Sequence, residues 1–190
     1  MNIRSKIILI TIPLIITPLI ITLIVAILSA RNGITVVATG FLTFKTEVLT
    51  NYMDNQWNLL ADNDLEKDEK FISISKAAVE SFAKTLIGSD SERIFAINKL
   101  GEITLKTGEI ILEDNDINRL LKKIETRETG WQNLTINGKG IIADTSFFSP
   151  FGWYILVSVD RKAFYGEITN IILRTLLIFV ISLILAVILL

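Results

Sequence analysis

Two long apolar stretches stand near the ends of the chain, and a polar segment separates them. Residues 7–30 contain no charged side chain, and residues 168–190 contain one, Arg174. As a helix the first stretch would be about 36 Å long, which exceeds the roughly 30 Å of a hydrocarbon core. We therefore predict two transmembrane helices, residues 7–30 and 168–190, that embed in a lipid bilayer and bracket a water-facing domain, residues 31–167.

A cleaved signal peptide is the alternative for the first stretch, because Arg4 and Lys6 precede it. The stretch is longer than the apolar region of a signal peptide, and Leu28-Ser29-Ala30 is a poor cleavage site. An uncleaved span is therefore favoured. The same two basic residues place the tail, residues 1–6, in the cytoplasm by the positive-inside rule. Residues 31–167 then lie outside a bacterial plasma membrane.

The second span returns the chain to the cytoplasm in this topology. No basic cluster follows it, although a natural two-span protein usually has one. We therefore expect the chain to be a fragment, or the product of a truncated gene, that stops before a cytoplasmic part.

Charge and composition exclude several function classes. The middle segment holds all 20 acidic residues but only 16 of the 19 basic ones, and this acidic excess argues against nucleic acid as a partner. The chain has no cysteine and no histidine, so thiol chemistry and the commonest general base and metal ligand are missing. The carboxylates stand in solvated runs, and no glycine-rich phosphate loop occurs. We expect no enzymatic activity, no cofactor and no metal site.

The first part of the middle segment has the periodicity of two helices. The first helix is expected to continue from the first span, with an apolar stripe formed by Phe41, Phe44, Val48, Tyr52 and Leu59. A polar break follows, in which Asp64 or Asp68 could cap the second helix. The expected stripe of that helix consists of Phe71, Ile74, Ala78, Phe82 and Leu86. Gly88 stands where a glycine would end it.

The second part changes to the period of strands. One hairpin is predicted over 93–106, with its turn through Lys99-Leu100-Gly101, and another over 130–148, with its turn at Asn137-Gly138. A fifth strand lies within residues 152–160. Between the hairpins we predict a helix capped by Asp114 or Asp116, whose inward residues are Ile117, Leu120, Leu121 and Ile124. Antiparallel hairpins with packed helices indicate an α+β fold.

The start of this third helix partly matches a calcium-binding loop. Asp114, Asp116, Asn118 and Glu125 fall at ligand positions, but the required glycine is replaced by Arg119. The amphipathic pattern covers the same residues. We therefore predict a helix here and not a metal site.

Three stretches in this order resemble the extracytoplasmic Cache domain, a PAS-like sensor module: "IFAINKLGEI", "NGKGIIADTSF" and "SPFGWYILVSVDRKAF". The resemblance implies a single Cache domain between two transmembrane helices, with a long N-terminal helix packed on a five-stranded antiparallel sheet of order 2-1-5-4-3. It implies a sensory input module that detects a small molecule. The last strand would pass a conformational signal through the second span to a missing cytoplasmic output: a HAMP linker with a chemotaxis signalling domain, a histidine kinase or a nucleotide cyclase.

The resemblance also implies a ligand pocket on the sheet face that points away from the long helix. The expected lining residues are Arg93, Phe95, Trp131, Asp144, Ser146, Tyr154 and Ser158. The alternative is that Asp144 and Ser146 face solvent or bond a nearby loop and that Trp131 is core. The amino-acid-binding signature of double Cache domains is not found, so amino acids are a weaker expectation than a small carboxylate or no ligand.

Two further expectations concern partners. The long first helix suggests a homodimer, since such helices usually pair. The alternative function is a non-sensing bitopic envelope protein whose outer domain binds another protein. Detection of a small-molecule ligand would separate the sensor from this structural alternative.

Overall fold

The computed structural model describes residues 3–126 and 128–189, which form two units: Met1–Val37 with Tyr165–Leu190, and Ala38–Phe164. Within the described residues there are four helices and five strands. Their bounds are α1 Ile3–Ala61, α2 Glu69–Thr85, β1 Glu92–Ile97, β2 Ile103–Lys106, α3 Asp114–Thr126, β3 Gly130–Ile136, β4 Lys139–Phe148, β5 Trp153–Asp160 and α4 Arg161–Leu189. This order of elements is the one predicted from the sequence.

The first unit contains the beginning of α1 and most of α4. The apolar windows Ile16–Ala61 and Arg161–Ser182 are long and apolar enough to cross a membrane. In the first unit, large apolar side chains of both windows are exposed; Leu28 is 56% and Ile178 is 63% exposed. Exposed apolar surface of this extent is typical of helices that contact lipid.

The second unit is built on one antiparallel sheet with strand order β2-β1-β5-β4-β3. This order confirms the predicted α+β fold and the predicted sheet topology. β5 lies in the centre, where it pairs with β1 on one side and β4 on the other. Its first six residues are all buried, as a central strand covered on both faces requires. β5 ends at Asp160, and α4 begins at the next residue.

The register of the strands divides the sheet into two faces. On one face Phe95 lies opposite Leu156, and Ile97 lies opposite Tyr154. These side chains form a core with residues of α3, which we call the α3 face; the buried members are Phe95, Ile97, Leu120, Ile124, Tyr154 and Leu156.

The other face, the α1 face, contacts α1 and α2. Thr43 of α1 donates to Asp144 of β4 at 3.2 Å. The ammonium group of Lys76 on α2 lies 5.6 Å from the ring centre of Trp153 on β5. Successive strand residues point to opposite faces, so Trp153 faces α2 whereas Tyr154 faces α3.

The stripe predicted for the first long helix is wrong for three of its five residues, whereas Val48 and Tyr52 are partly buried. Phe41, Phe44 and Leu59 are 50%, 58% and 58% exposed. The buried residues of this part of α1 are instead Leu42, Lys45, Thr46, Leu49, Met53 and Leu60. The helix carries two apolar stripes. The stripe that packs on the sheet includes the polar residues Lys45 and Thr46, so its sequence pattern is less clearly apolar. Hydrophobic periodicity alone does not choose between such stripes.

The stripe predicted for α2 is also wrong in part. Phe71 and Ile74 are 40% and 54% exposed. The buried face consists of Ser75, Val79 and Ala83, whose small side chains let the helix axis approach its neighbours closely. Among the predicted stripe, Phe82 stacks on Tyr52 of α1 with ring centres 4.1 Å apart.

The predicted start of α2 is confirmed, but its predicted end is not. Asp68 is the N-cap, and its carboxylate accepts the N–H of Lys70, so this alternative is confirmed over Asp64. The C-terminus does not use Gly88. Leu86 is the C-cap with right-handed helical backbone angles, and the N–H of Gly88 donates to Glu92 at 2.8 Å.

The two predicted hairpin turns are confirmed. Asn137 and Gly138 have φ angles of 48° and 70°, the pair of positive values that a two-residue type I′ turn requires. In the first hairpin the side chain of Asn98 accepts the N–H groups of Leu100 and Glu102, and Gly101 has a φ angle of 81°.

The third helix is confirmed, but its predicted caps are not. Asp114 and Asp116 both lie inside the helix, and the carbonyl of Glu113 accepts the first intrahelical bonds. Of the predicted inward residues, Leu120 and Ile124 are buried. Leu121 packs against the same core as a partly buried residue.

Candidate ligand-binding face of the sheet

A cavity of about 310 Å³ lies on the α3 face, at the end of the sheet where β5 meets α4. It is walled by β1, the β3–β4 hairpin, the last residues of β5 and the loops before β1 and α3. The lining residues are Asp90, Ser91, Arg93, Phe95, Glu109, Ile110, Ile111, Ile136, Asn137, Lys139, Ile141, Ser158 and Asp160. Apolar walls with a few convergent polar groups are typical of small-molecule sites.

Arg93 is the most firmly positioned cation of this cavity. Its Nη1 atom donates to the carbonyls of Asp90 and Glu92. A Cβ atom at Gly108 would lie 3.2 Å from Cδ and Nε of Arg93, so the glycine leaves room for the side chain. The backbone of Arg93 is fixed as well, because Ser158 donates to its carbonyl at 2.9 Å. No described residue accepts from Nη2, which leaves that atom able to bind a ligand.

The charges around the cavity are mixed. Arg93 and Lys139 are the cations among its lining residues, and Asp90, Glu109 and Asp160 are the anions. One of these anions already has a structural partner, since Asp160 accepts the N–H of Lys162 at 2.8 Å. The anions of the lining therefore outnumber its cations, so a small carboxylate with an apolar body would have to bind close to Arg93 and Lys139.

The turn that forms one wall of the cavity is held from α3. The buried carboxylate of Asp116 accepts the N–H of Asn137 at 2.7 Å, and Arg119 donates both to Asp116 and to the carbonyl of Thr135 at 3.1 Å. These bonds join α3 to the β3–β4 hairpin. A displacement of either element would therefore change the cavity.

Tyr154 is a predicted site residue that lies in the core of the α3 face and not among the lining residues of this cavity. Its hydroxyl group donates to the carbonyl of Glu128 at 2.7 Å and accepts from Gln132 at 3.3 Å. Burial raises the pKa of Tyr154, and the hydrogen bonds with Thr145 and Gln132 partly oppose that shift. The neutral phenol is therefore the stable form in the fold.

The predicted site residues do not form one cluster. Arg93, Phe95 and Ser158 line the cavity, as expected from a shared strand face. Asp144 and Ser146 lie on the opposite, α1 face, where Thr43 bonds Asp144 and the hydroxyls of Thr50 and Ser146 are 3.5 Å apart. The expectation that these two residues point away from the long helix is therefore wrong.

The error arises because the sequence does not show which residues of β4 pair with which residues of β5, and this pairing decides which side chains share a face. Asp144 lies opposite Val157, whereas Ser158 lies opposite Ala143. Paired residues share a face, so Asp144 and Ser158 are on different faces. Alternation within each strand was predicted correctly, but the relation between strands needs the register. The alternative expectation of solvent or a loop is wrong too, because the partner of Asp144 is a helix.

Trp131 lies opposite Asp144 on the edge strand and is 47% exposed, so neither the pocket position nor the core position expected for it is found. Asp144 and Ser146 line a second, polar groove of about 480 Å³ beside α1, together with hydroxyl groups such as those of Thr43 and Thr50.

Ten of the 13 residues that line the cavity were not predicted from the sequence. Asn137 and Lys139 were interpreted only as parts of a turn, and Glu109 and Ile110 belong to a loop without a pattern. One clue was present: a hairpin turn beside the end of the central strand places its residues next to the start of α4. Within the described residues, no group of three or more acidic side chains is placed to hold a metal ion.

No protein-family model and no curated protein matches this sequence. A solved structure of a Cache chemosensory domain, described in terms of its carboxylic acid recognition, is similar to this chain with a TM-score of 0.53 and 10% sequence identity. The match covers 68% of this chain and 97% of that chain. The likeness is one of fold, and it agrees with the sheet order and with the helix that leads into the domain. The chain therefore has a Cache-like α+β fold.

Proposed function

We propose that this chain is a membrane-anchored sensory input module whose extracytoplasmic domain, residues 31–167, binds a small carboxylate. One observation carries the proposal: the cavity on the α3 face is lined by Ser158 and Asp160 of β5, the strand that leads directly into α4. A ligand in this cavity would contact the last residues before the helix. The conformational change would then pass along the second membrane span to a cytoplasmic output part.

The cavity itself supports the ligand class. Arg93 has a free Nη2 atom, and Lys139 supplies a second cation on the opposite wall. Phe95 and Ile141 provide apolar surface for the rest of the ligand. The similar Cache chemosensory domain is itself described by its recognition of carboxylic acids.

The membrane arrangement is the second part of the proposal. The two apolar windows have the length of spans, and Arg4 and Lys6 favour a cytoplasmic N-terminus in a bacterial plasma membrane. Reporter fusions at Asn98 test this topology. An extracytoplasmic reporter at Asn98 is expected, and a cytoplasmic one would contradict the proposal.

We also propose that the module is a homodimer and not an enzyme. The exposed apolar stripe of α1, defined by Phe41, Phe44 and Leu59, supplies an apolar surface for a second copy. The composition without histidine or cysteine argues against catalysis.

Ligand binding is tested with the full chain purified in detergent. Sodium acetate, pyruvate and succinate are titrated, with sodium chloride at equal ionic strength as the reference, and binding is measured by calorimetry and by the thermal midpoint. At least one carboxylate is expected to bind and to raise the midpoint.

Variants then place the site. Arg93→Met is expected to weaken binding about 10- to 100-fold, the effect of losing one charge-assisted hydrogen bond. Lys106→Ala is the matched control, because Lys106 is an exposed cation on the neighbouring strand that does not line the cavity. Equal binding by the Arg93 variant and wild type would contradict this site. Absence of binding by any carboxylate, together with a co-purifying envelope protein, would favour the structural alternative.

A further inference from the structure

The first residue of α4 is bonded to a strand two positions away in the sheet. Nη2 of Arg161 donates to the side-chain oxygen of Asn133 and to the carbonyl of Leu134, at 3.3 Å from the latter. Both acceptors belong to β3, whereas Arg161 directly follows β5. Because β4 lies between these strands, the side chain of Arg161 crosses it to reach its partners.

Gly140 of β4 provides the space for this crossing. A Cβ atom at position 140 would lie 2.8 Å from Cζ and 2.9 Å from Nε of Arg161. The φ angle of Gly140 is not among the positive ones, so the glycine is required here for space and not for backbone conformation. Any other residue would displace the guanidinium group.

The same hairpin that binds Arg161 forms a wall of the cavity. Ile136, Asn137, Lys139 and Ile141 line the cavity and lie within three residues of Asn133, Leu134 or Gly140. Asp160, the neighbour of Arg161 in sequence, lines the cavity too. The residues that the guanidinium group contacts do not themselves line the cavity, but they belong to the hairpin that does, so the group connects this hairpin with the first turn of α4 in addition to the backbone of β5.

The environment of Arg161 indicates that packing holds this contact. Its Nε atom is buried, and no described residue accepts from it. A buried donor without an acceptor is unfavourable. A small movement of the hairpin that admits water or a new acceptor would remove this unfavourable state of the Nε donor. The position of the guanidinium group therefore depends on the position of the hairpin.

We propose that Arg161 is a positioning residue that couples the β3–β4 hairpin to α4, and that it transmits a ligand-dependent movement of the hairpin to the start of the output helix. This inference rests on the proposed sensing function. It assigns the coupling to one side chain, its acceptor Asn133 and the clearance at Gly140.

The first experiment needs no ligand. Hydrogen exchange is measured on the full chain in detergent for wild type, Asn133→Ala and Gly140→Ala. In both variants the backbone amide hydrogens in the first two turns of α4 are expected to exchange about tenfold faster than in wild type, because the contact that orders those turns is weakened or lost. Asn133→Asp keeps an acceptor and is expected to retain wild-type protection. Lys162→Ala is the control, since that exposed side chain makes none of these contacts. Wild-type protection of α4 in both Asn133→Ala and Gly140→Ala would overturn the inference.

The second experiment adds sodium acetate, pyruvate or succinate, whichever binds wild type. In wild type, exchange is expected to slow both in residues 134–141 and at the start of α4. In Asn133→Ala, the affinity and the response of residues 134–141 are expected to persist, whereas the response of α4 is lost. A merely structural role would change both responses together, and that result would overturn the inference. Failure of every carboxylate to bind would contradict the proposed function, while the ligand-free comparison still decides the coupling.

Discussion

The carboxylate of Asp116 on α3 accepts the backbone N–H of Asn137, the first residue of the β3–β4 turn, at 2.7 Å. Asp116 is 3% exposed, and its position at the third residue of the helix also brings it to 3.4 Å from the N–H of Glu113. One side chain thus fixes the start of a helix and the tip of a hairpin. The bond holds the hairpin, which forms one wall of the cavity, against α3.

Removal of this carboxylate is expected to destabilise the domain. Asp116→Ala leaves the N–H of Asn137 without its acceptor, which costs about 1–3 kcal/mol. Asp114→Ala is the control, because Asp114 is an exposed acid in the same helical turn. The free energy of unfolding is measured by urea titration of the full chain with tryptophan fluorescence. Equal unfolding curves for Asp116→Ala and Asp114→Ala would contradict the role of the bond.

A second prediction concerns the ion pair between α1 and β1. Nζ of Lys45 lies 2.5 Å from a carboxylate oxygen of Glu92, and their side chains are only 6% and 14% exposed. Lys45→Met leaves the carboxylate of Glu92 with the N–H of Gly88 as its partner among the described residues and is expected to cost about 3–5 kcal/mol.

The double variant Lys45→Met, Glu92→Gln is expected to be more stable than the single Lys45 variant, because no unpaired buried charge remains. A double-mutant cycle of unfolding free energies measures the coupling. Additive effects of the two substitutions would show that the two side chains do not interact.

The raised pKa of Tyr154 predicts a loss of stability in alkali. Burial disfavours the phenolate, so the pKa in the fold lies above the ordinary value of 10.0. Above pH 10 the unfolded chain releases this proton before the folded one does, and the free energy of unfolding falls as the pH rises from about 10 through the folded pKa. Tyr154→Phe should lose about 1 kcal/mol at neutral pH, from the bond to Glu128.

The same variant should show a shallower decline above pH 10, since it has no phenol to ionise at this site. Unfolding by urea between pH 8 and pH 11 measures both slopes. Tyr165→Phe is the control for general tyrosine ionisation. Parallel curves for wild type and Tyr154→Phe would contradict the assignment.

The last prediction concerns the exposed stripe of α1, which we propose as the surface of the homodimer. Phe44→Glu is expected to dissociate the proposed homodimer, because it places a charge in an apolar interface. Asn115→Glu adds the same charge at an exposed polar position of α3, outside this stripe, and is expected to leave the dimer intact. Sedimentation of the detergent-solubilised full chain measures the association. A wild-type chain that is monomeric at micromolar concentration would contradict the proposal.

The sequence was sufficient for the order of elements, because their determinants are local, whereas the strand order of the sheet was expected only from the resemblance to Cache domains. Asn137-Gly138 fixes one turn by its positive φ angles, and Asp68 fixes the start of α2 by a single hydrogen bond. Both depend on residues within two positions of each other, so a single sequence contains the information.

The helix faces and the site required information that is not local. Phe44 and Leu49 are equally apolar, but only Leu49 packs on the sheet. The sequence allows Asp144 and Ser158 to lie on the same face of the sheet or on opposite faces. The strand register places them on opposite faces. Register depends on how bulges and turn lengths add up across three strands, which no periodicity within one strand reveals.

The contact between Arg119 and the carbonyl of Thr135 has a consequence for the behaviour of the protein in solution. β3 is an edge strand, and unpaired carbonyls on such strands can recruit strands from other molecules. Arg119 occupies one of these carbonyls from within the same molecule. The opposite edge, β2, has only four residues. The contact thus removes one backbone acceptor from the edge at which a strand of another molecule could pair.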